Sequence, residues 1–334
     1  MYRSRFITGA ALALFGAAAL STVVARAQQP APGGPTRALV DPKAPKKHVL
    51  VLGFAHGWHH GSISDTLAMV WQLGHDSGLF DVEMRTDTDW VTKGYTGGGL
   101  SRNLDWFDAV VAADTTGVWP LNDQQKRDFI SFIHDDGKGF VGIHAALDAN
   151  HNKAWPEYTD MIGGEFQAHP WFTFAAPVII EDPTFPAMQP FHATHLVIYD
   201  EMYMPREDNW SRDKVNVVMR LDESKLPPPG QQEPFASEGP VAAQAAGVPL
   251  RQNPAPPANP NRGGGARPPA GVRADKDIAL GWSKMYGNGR VFYSSLGHTQ
   301  EEIADPQVRA MYLEAIKWVL GLTEGSTAPH SKRN

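Results

Sequence analysis

The sequence predicts an α/β fold of the doubly wound, flavodoxin-like type, with a mainly parallel sheet and helices on both faces. Short runs of apolar and β-branched residues are typical of buried parallel strands. Amphipathic helical patterns separate several of these runs in the first half of the chain. Alternating strands and helices favour a parallel sheet, because each crossover helix packs back onto a face of the sheet.

The first half of the chain contains the alternating elements. We predict strands at 48–54, 80–87, 108–114 and 140–143. A helix over 62–78 carries one apolar stripe, formed by Ile63, Leu67, Val70 and Leu73. A second helix is predicted to begin after Asn122, a favourable N-cap, and to end near Gly137.

The second half is richer in strands. Apolar runs at 172–180, 192–201 and 215–221 precede two strands that Gly287-Asn288-Gly289 joins as a hairpin turn. The segment after 139–143 is also expected to turn into a helix. An amphipathic helix beginning at Pro306 ends the fold.

The N-terminal segment 1–27 has the pattern of a secretory signal. Arg3 and Arg5 precede a long uncharged stretch, and Ala25-Arg26-Ala27 forms a small-x-small cleavage pattern. An uncleaved membrane anchor is the alternative, because the apolar stretch is nearly long enough to span a bilayer. Cleavage removes three arginines and no acid, which changes the formal net charge from −6 to −9. We expect an exported protein, periplasmic or secreted, without membrane contact after cleavage.

The remaining chain is predicted to form one domain with an insertion. Residues 28–46 form a Pro/Gly-rich leader, 47–322 the domain and 323–334 a flexible tail. The insertion 224–274 holds 12 of the 27 prolines and almost no large apolar residue, so it cannot bury enough surface to offset its ordering entropy. We therefore expect it to be disordered; a role as a Pro-rich partner ligand is the alternative.

Composition excludes several functions. The chain has no cysteine, which rules out a thiol nucleophile, disulfides and Cys-ligated metals. No basic concentration suggests nucleic acid as a partner. The glycine-rich 96–101 lacks a preceding strand and a following Lys-Ser/Thr, so no nucleotide cofactor is expected. The sequence does not determine the oligomeric state, so assembly into a homo-oligomer is left as an alternative.

Polar side chains stand where the predicted strands end, which is where open α/β sheets bind ligands. These residues are His60, Asp114, His144, His169, Glu201 and His298. We expect His60, Asp114, His144 and His298 to be catalytic. Imidazoles with one carboxylate suit Zn²⁺ or another divalent metal, for which His144, His169 and Glu201 are the candidate ligands. The same groups could instead act without metal as general acid and base.

Aromatic residues near these strand ends are the candidate sugar-binding surfaces. We assign substrate binding to Trp58, Trp119, Trp155 and Tyr203. Each candidate also has a simpler interpretation, because single loop histidines are often structural, Asp114 could cap a turn, and tryptophans are often core residues.

Several motifs resemble the ThuA-like family, which is named for a trehalose-utilisation protein. They are HHGSI, DAVVAADTTG, GKGFVGIHAALDA, FQAHP, DEMY and YGNGRVFYSSLGHTQEEIADPQV, and they cover 47–321 apart from the insertion. The resemblance implies a fold related to class I glutamine amidotransferases, in which the corner after the fourth strand carries a catalytic cysteine. His144 occupies that corner here, so glutamine hydrolysis by a thiolate is excluded.

The resemblance also implies a role in disaccharide or glycoside catabolism and a divalent metal. It assigns the family's recurrent polar residues to His60, Asp114, His144, His169, Glu201 and His298. We therefore expect a metal-assisted enzyme that acts on a sugar, such as a keto-glycoside or disaccharide, by isomerisation, elimination or hydrolysis. A non-catalytic carbohydrate-binding module on the same fold is the alternative.

Overall fold

The apolar runs of the first half lie side by side as parallel strands. The structure, a computed structural model, describes residues 45–94, 102–229 and 272–333. The strands are β1 (Lys47–Leu52), β2 (Phe80–Arg85), β3 (Ala109–Ala113) and β4 (Gly139–Ile143). They pair in the order β2-β1-β3-β4, which is the flavodoxin-like order.

The second half extends this sheet. Its strands are β5 (Phe166–Ala168), β6 (Thr173–Ile180), β7 (His195–Glu201), β8 (Met204–Pro205), β9 (Asn216–Leu221), β10 (Ala279–Tyr286) and β11 (Gly289–Ser294). β11 joins β4 in parallel, and β10, β9, β6 and β7 follow in antiparallel pairs. β5 and β8 form a separate two-stranded sheet.

The α/β prediction is confirmed, and the nine-stranded sheet is mixed. The parallel half, β2-β1-β3-β4-β11, is the doubly wound part. The hairpin at Gly287 reverses the chain between β10 and β11, so the strands added beyond β11 run antiparallel to their neighbours.

Helices cover both faces of the sheet. The helices are α1 (Ile63–Ser77), α2 (Asp123–His134), α3 (Pro156–Ile162), α4 (Gln300–Ala304) and α5 (Pro306–Val319). Val49 of β1 faces the apolar cluster that contains α1 and α5, whereas Leu50 faces the cluster that contains α2 and α3. This alternation follows from the two-residue period of a strand buried on both sides.

The start of α2 agrees with the predicted helix start after Asn122. The Asn122 side chain accepts the Gln125 N–H, and the Gln125 side chain accepts the Asn122 N–H, which forms a capping box at the start of α2. The expectation of a helix directly after β4 is corrected, because 144–148 forms only a short 3₁₀ turn. The sequence pattern also missed α3, α4, β5 and β8, which are all short.

The terminal segments and the insertion lie largely outside the described residues, including 1–44 and 230–271. Residues 323–333, which belong to the predicted flexible tail, contact the edge of the domain in the structure. Ser326 O accepts hydrogen bonds from Asn216 and Ser283, and His330 bonds to the Val217 carbonyl, so this segment is held against β9 and β10. No helix within the described part of the chain has the length and apolar character needed to cross a membrane.

Candidate functional site

Three histidines and one glutamate converge beyond the strand ends. His60 follows β1, His144 follows β4, His298 follows β11, and Glu201 ends β7. Each side chain offers one ligand atom, and these atoms all lie within 4.8 Å of one another. His60, His144 and Glu201 are buried, whereas the His298 side chain is 25 % exposed. The cluster therefore has one side accessible to a ligand.

The spacing of the cluster suits a tetrahedral metal. His298 Nδ1 lies 3.2 Å from both His144 Nε2 and Glu201 Oε2, and the last two atoms are 3.5 Å apart. Ligands on a tetrahedral Zn²⁺ at normal bond lengths are separated by about 3.3 Å. The three imidazole rings stand 5.0–5.1 Å apart at steep mutual angles of 66–88°. The distances among His144, Glu201 and His298 thus match those of zinc ligands, and His60 completes a set of four ligand atoms within 4.8 Å of one another.

The backbone orients His144 for this role. Its φ of 42° lies in the left-handed region, so the chain turns sharply where β4 ends. His144 Nδ1 donates to the Ser295 carbonyl at 2.6 Å, and Tyr293 Oη donates to the His144 carbonyl. Because a carbonyl only accepts, Nδ1 carries a proton and Nε2 is directed to the cluster, as in metal-ligating histidines.

Asp200 holds the loop that carries His298, a role that the sequence analysis missed. Its buried carboxylate accepts backbone N–H groups from Gly297 at 2.6 Å, His298 at 3.3 Å and Thr299 at 3.1 Å. The sequence signal was a second acid beside Glu201 at the end of an apolar strand. Consecutive residues of β7 thus serve the site differently: Glu201 enters the cluster, and Asp200 fixes the adjacent loop.

Burial and neighbouring charges shift the pKa values of three cluster residues in different directions. Burial, reinforced by the neighbouring histidines, lowers the pKa of His60 to about 2 and keeps this imidazole neutral. Burial alone would lower the pKa of His144 and raise that of Glu201. The hydrogen bond between them, with further nearby charges, instead raises the pKa of His144 and holds that of Glu201 well below its ordinary value.

Asp114 lies outside the four-residue cluster and contacts the start of α1, so its predicted catalytic role stays a prediction. It is fully buried with a φ of 52°, and its Oδ2 accepts hydrogen bonds from Thr66 at 2.6 Å and Ser62 at 3.3 Å. These contacts tie the end of β3 to the start of α1, just after His60. Burial raises the pKa of Asp114 to about 6. Asp114 therefore positions the segment that carries His60.

His169 and Tyr203 line the cluster without belonging to the four-ligand set. His169 Nδ1 lies 3.2 Å from Glu201 Oε1, the oxygen that does not face His144 and His298, and its side chain is 33 % exposed. The Tyr203 ring packs 4.2 Å from the His144 ring, and its hydroxyl is 3.4 Å from His60 Nε2. The closely spaced group differs from the predicted ligand set, because His60 and His298 lie with His144 and Glu201, and His169 lies beside them. The predicted set of His144, His169 and Glu201 stays a prediction.

Two of the proposed sugar-binding tryptophans are core residues. Trp119 and Trp155 are 1 % and 2 % exposed and pack against each other and against Phe129. The burial of both rings gives no support to their predicted role in substrate binding, because almost none of their surface is open to a ligand. Trp58 is 58 % exposed, and its carbonyl accepts a hydrogen bond from Thr116 Oγ1. It stays a candidate at the rim, two residues before His60.

Comparison with known proteins agrees with the geometry. The ThuA family, described as trehalose utilisation, matches residues 48–319. Two solved structures share the fold. A ThuA-like protein from Bacteroides uniformis is 18 % identical in sequence and superimposes with a TM-score of 0.56, and the match covers 83 % of this chain and 92 % of that protein. A ThuA-like protein from Parabacteroides merdae is 16 % identical with a TM-score of 0.52, covering 83 % and 90 %. No curated protein matches this chain. The resemblance noted in the sequence is confirmed, and the chain belongs to the ThuA family.

Proposed function

We propose that this protein is an exported, metal-assisted enzyme that acts on a sugar, namely a keto-glycoside or disaccharide. The observation that carries the proposal is the cluster of His60, His144, Glu201 and His298 within ligand distance of one another. The family description, trehalose utilisation, supports a sugar as the substrate. The export component is supported by the signal pattern of 1–27.

The cluster would hold the metal through three imidazole nitrogens and one carboxylate oxygen. A bound divalent ion supplies a Lewis acid that polarises a carbonyl or hydroxyl oxygen of the substrate. The protein contributes the ligand orientation: Ser295 fixes the tautomer of His144, and Asp200 fixes the backbone that carries His298. The partly exposed side chain of His298 marks the side from which substrate approaches.

His169 is the proposed base. Its Nδ1 lies 3.2 Å from Glu201 Oε1, which leaves Nε2 as the ring nitrogen that is not directed at this carboxylate. Within the described residues Nε2 has no hydrogen-bond partner, and the ring is partly exposed. An imidazole that is partly exposed and has a free ring nitrogen is a suitable general base for a proton of a bound substrate.

For a 3-keto-glycoside these groups support elimination. His169 Nε2 takes the proton from C2, which the neighbouring carbonyl acidifies, and the electron pair of that C–H bond forms the C1=C2 double bond. The bond between C1 and the glycosidic oxygen breaks, and the leaving oxygen receives the proton from His169. Isomerisation begins with the same proton abstraction, and addition of water to the enone completes hydrolysis, so one base serves all three outcomes.

Zinc titration of the full chain after chelator treatment tests the metal. We expect one Zn²⁺ per chain by calorimetry, and at least a tenfold weaker affinity in His298→Ala and Glu201→Gln, since each removes one ligand. His134→Ala is the matched control, because His134 forms a similar imidazole–carboxylate pair with Asp135 at 2.7 Å outside the site. Equal zinc affinity in all four proteins would contradict the proposed centre.

Turnover tests the reaction. In D₂O, the zinc-loaded protein should introduce deuterium at C2 of methyl 3-keto-α-D-glucoside or release methanol, and His169→Ala should slow both by about 10²–10⁴-fold. Saturable sugar binding without exchange or release would instead indicate a non-catalytic carbohydrate-binding module.

A further inference from the structure

A second cavity lies beside the cluster. It has a volume of about 390 Å³, within the range of about 300–1,000 Å³ typical of small-molecule sites. Its wall exposes polar and apolar surface in nearly equal parts, and it is lined by Asp148, His151, Asn152, Phe166, Gln167, Arg206, Glu207 and Asp208. None of these residues belongs to the metal cluster.

The same three chain segments build the cavity and the cluster. The 3₁₀ turn 144–148 carries His144 at its start and Asp148 at its end. β5 contributes Phe166 to the cavity, and His169 follows it closely toward Glu201. The segment after Glu201 passes through Tyr203 and β8 to Arg206. A ligand that extends beyond the cluster along these segments therefore reaches the cavity.

A row of packed aromatic rings lies between the two sites. The Phe166 ring lies 4.2 Å from the Tyr203 ring, which lies 4.2 Å from the His144 ring. Phe166 also stacks against His169 at 5.6 Å. The half-buried Phe166 forms the apolar patch of the cavity wall, next to the proposed base. Such a patch can cover the C–H face of a sugar ring.

The polar groups of the wall select the ligand class. The strong charges are largely paired within the wall: His151 with Asp148 at 2.8 Å, and Arg206 with Asp208 through two hydrogen bonds at 2.8 and 2.6 Å. Glu207 adds a further carboxylate, which disfavours anions such as phosphorylated sugars. The polar groups of the wall also disfavour an apolar ligand.

Several hydrogen-bonding groups of the wall are available. Among the described residues, the side-chain amides of Asn152 and Gln167 and Nη1 of Arg206 have no protein partner. Together they offer donors and acceptors of the kind that vicinal hydroxyl groups need. Asn152 and the adjacent Lys153 have positive φ values of 56° and 64°, a conformation that asparagine tolerates and that is less favourable for lysine. The loop is thus held in a specific shape at the cavity rim.

We propose that this cavity is a carbohydrate subsite that binds the second, non-reacting ring of a neutral disaccharide whose reacting ring lies at the cluster. The proposal rests on the proposed function, because it takes a sugar as the substrate. Arg206, Asn152 and Gln167 bond the hydroxyl groups of the ring, and Phe166 packs against its apolar face. A disaccharide is bound more tightly than a monosaccharide glycoside, because the monosaccharide reaches only one of the two sites.

Calorimetry on the full, zinc-loaded chain tests the subsite. The probes are trehalose, maltose and cellobiose as neutral disaccharides, methyl α-D-glucoside as the monosaccharide, and glucose 6-phosphate as the anion. We expect at least one disaccharide to bind more tightly than the other two classes. Gln167→Leu and Arg206→Gln should each weaken its binding roughly tenfold, since each removes hydrogen bonds to the ligand, and should leave methyl α-D-glucoside unchanged.

The chain offers a matched control for Arg206. Arg85 and Asp87 form a similar pair through Nε and Nη2 of the arginine, also two residues apart, at the end of the edge strand β2. Arg85→Gln should therefore leave disaccharide affinity unchanged. Gln167→Leu keeps the side-chain volume, so it separates loss of hydrogen bonding from misfolding, and the midpoint of thermal unfolding of each variant checks this directly.

The outcomes separate the subsite from the proposed reaction. If Gln167→Leu and Arg206→Gln weaken disaccharide binding but the protein binds no zinc and turns over no sugar, the subsite is supported and the metal-assisted enzyme is refuted. Turnover with unchanged disaccharide affinity in both pocket variants would refute the subsite and leave the enzyme intact. Binding of none of the three disaccharides, or tighter binding of glucose 6-phosphate, would also overturn the subsite.

Discussion

Asp200 offers a direct test of how the structure positions its candidate metal ligands. Oδ2 of this carboxylate accepts two backbone N–H groups, from Gly297 and His298, and Oδ1 accepts one, from Thr299. Asp200→Asn keeps the size of the side chain but replaces one oxygen with an amide that can only donate. One backbone N–H is therefore left facing a donor inside the protein.

The expected cost follows from these contacts. A hydrogen bond to a charged acceptor contributes about 1.5–3 kcal/mol, and an unsatisfied buried donor costs about 1–3 kcal/mol. Burial raises the pKa of Asp200, which shows that the charge itself is costly there, so the neutral amide recovers part of the loss. We expect a net decrease of about 2 kcal/mol in the free energy of unfolding. Because the loop carries His298, zinc affinity should fall about 10–100-fold.

Urea unfolding of the chelator-treated protein and zinc calorimetry measure these two effects separately. Asp182→Asn is the matched control: Asp182 is also buried, and it accepts hydrogen bonds from Thr184 and Asn216 beyond the far end of β6. It should lower stability without changing zinc affinity. If Asp200→Asn loses stability but binds zinc as tightly as the unaltered protein, the positioning role of Asp200 is refuted.

Two further predictions concern residues outside the cluster. Trp155→Ala should lower the free energy of unfolding by about 3–5 kcal/mol, because it empties a core position, and should leave sugar affinity unchanged; weaker binding with unchanged stability would restore Trp155 as a ligand contact. Burial, helped by Asp200 and Asp305, raises the pKa of Glu302 to about 9, so the folded state binds the proton more tightly than the unfolded chain. Stability should therefore fall as pH rises from about 4.5 to 9, by an amount on the order of a few kcal/mol, and Glu302→Gln should flatten this part of the profile measured by urea unfolding; an unchanged slope would contradict it.

Local patterns in the sequence determined much of the fold. The four strands of the first half, the capped helix α2 and the terminal helix α5 follow from apolar period and capping residues, which act within a few positions of one another. The elements that the pattern missed, such as α3 and β5, are too short to show a period. The antiparallel half was visible as strands, but the sequence did not specify their places in the sheet, since pairing joins residues far apart in the chain.

The sequence by itself determined which residues end the strands, the absence of a thiol nucleophile and the family to which the chain belongs. Only the tertiary structure decided which of these residues lie in the cluster and which lie in the core or in supporting positions. It brought His60 and His298 to Glu201, left His169 beside them, buried Trp119 and placed Asp114 in support of α1. The physical reason is that ligand geometry depends on distances of a few ångströms between loops from different strands. Those distances arise only when the sheet, its strand order and its packed helices are assembled.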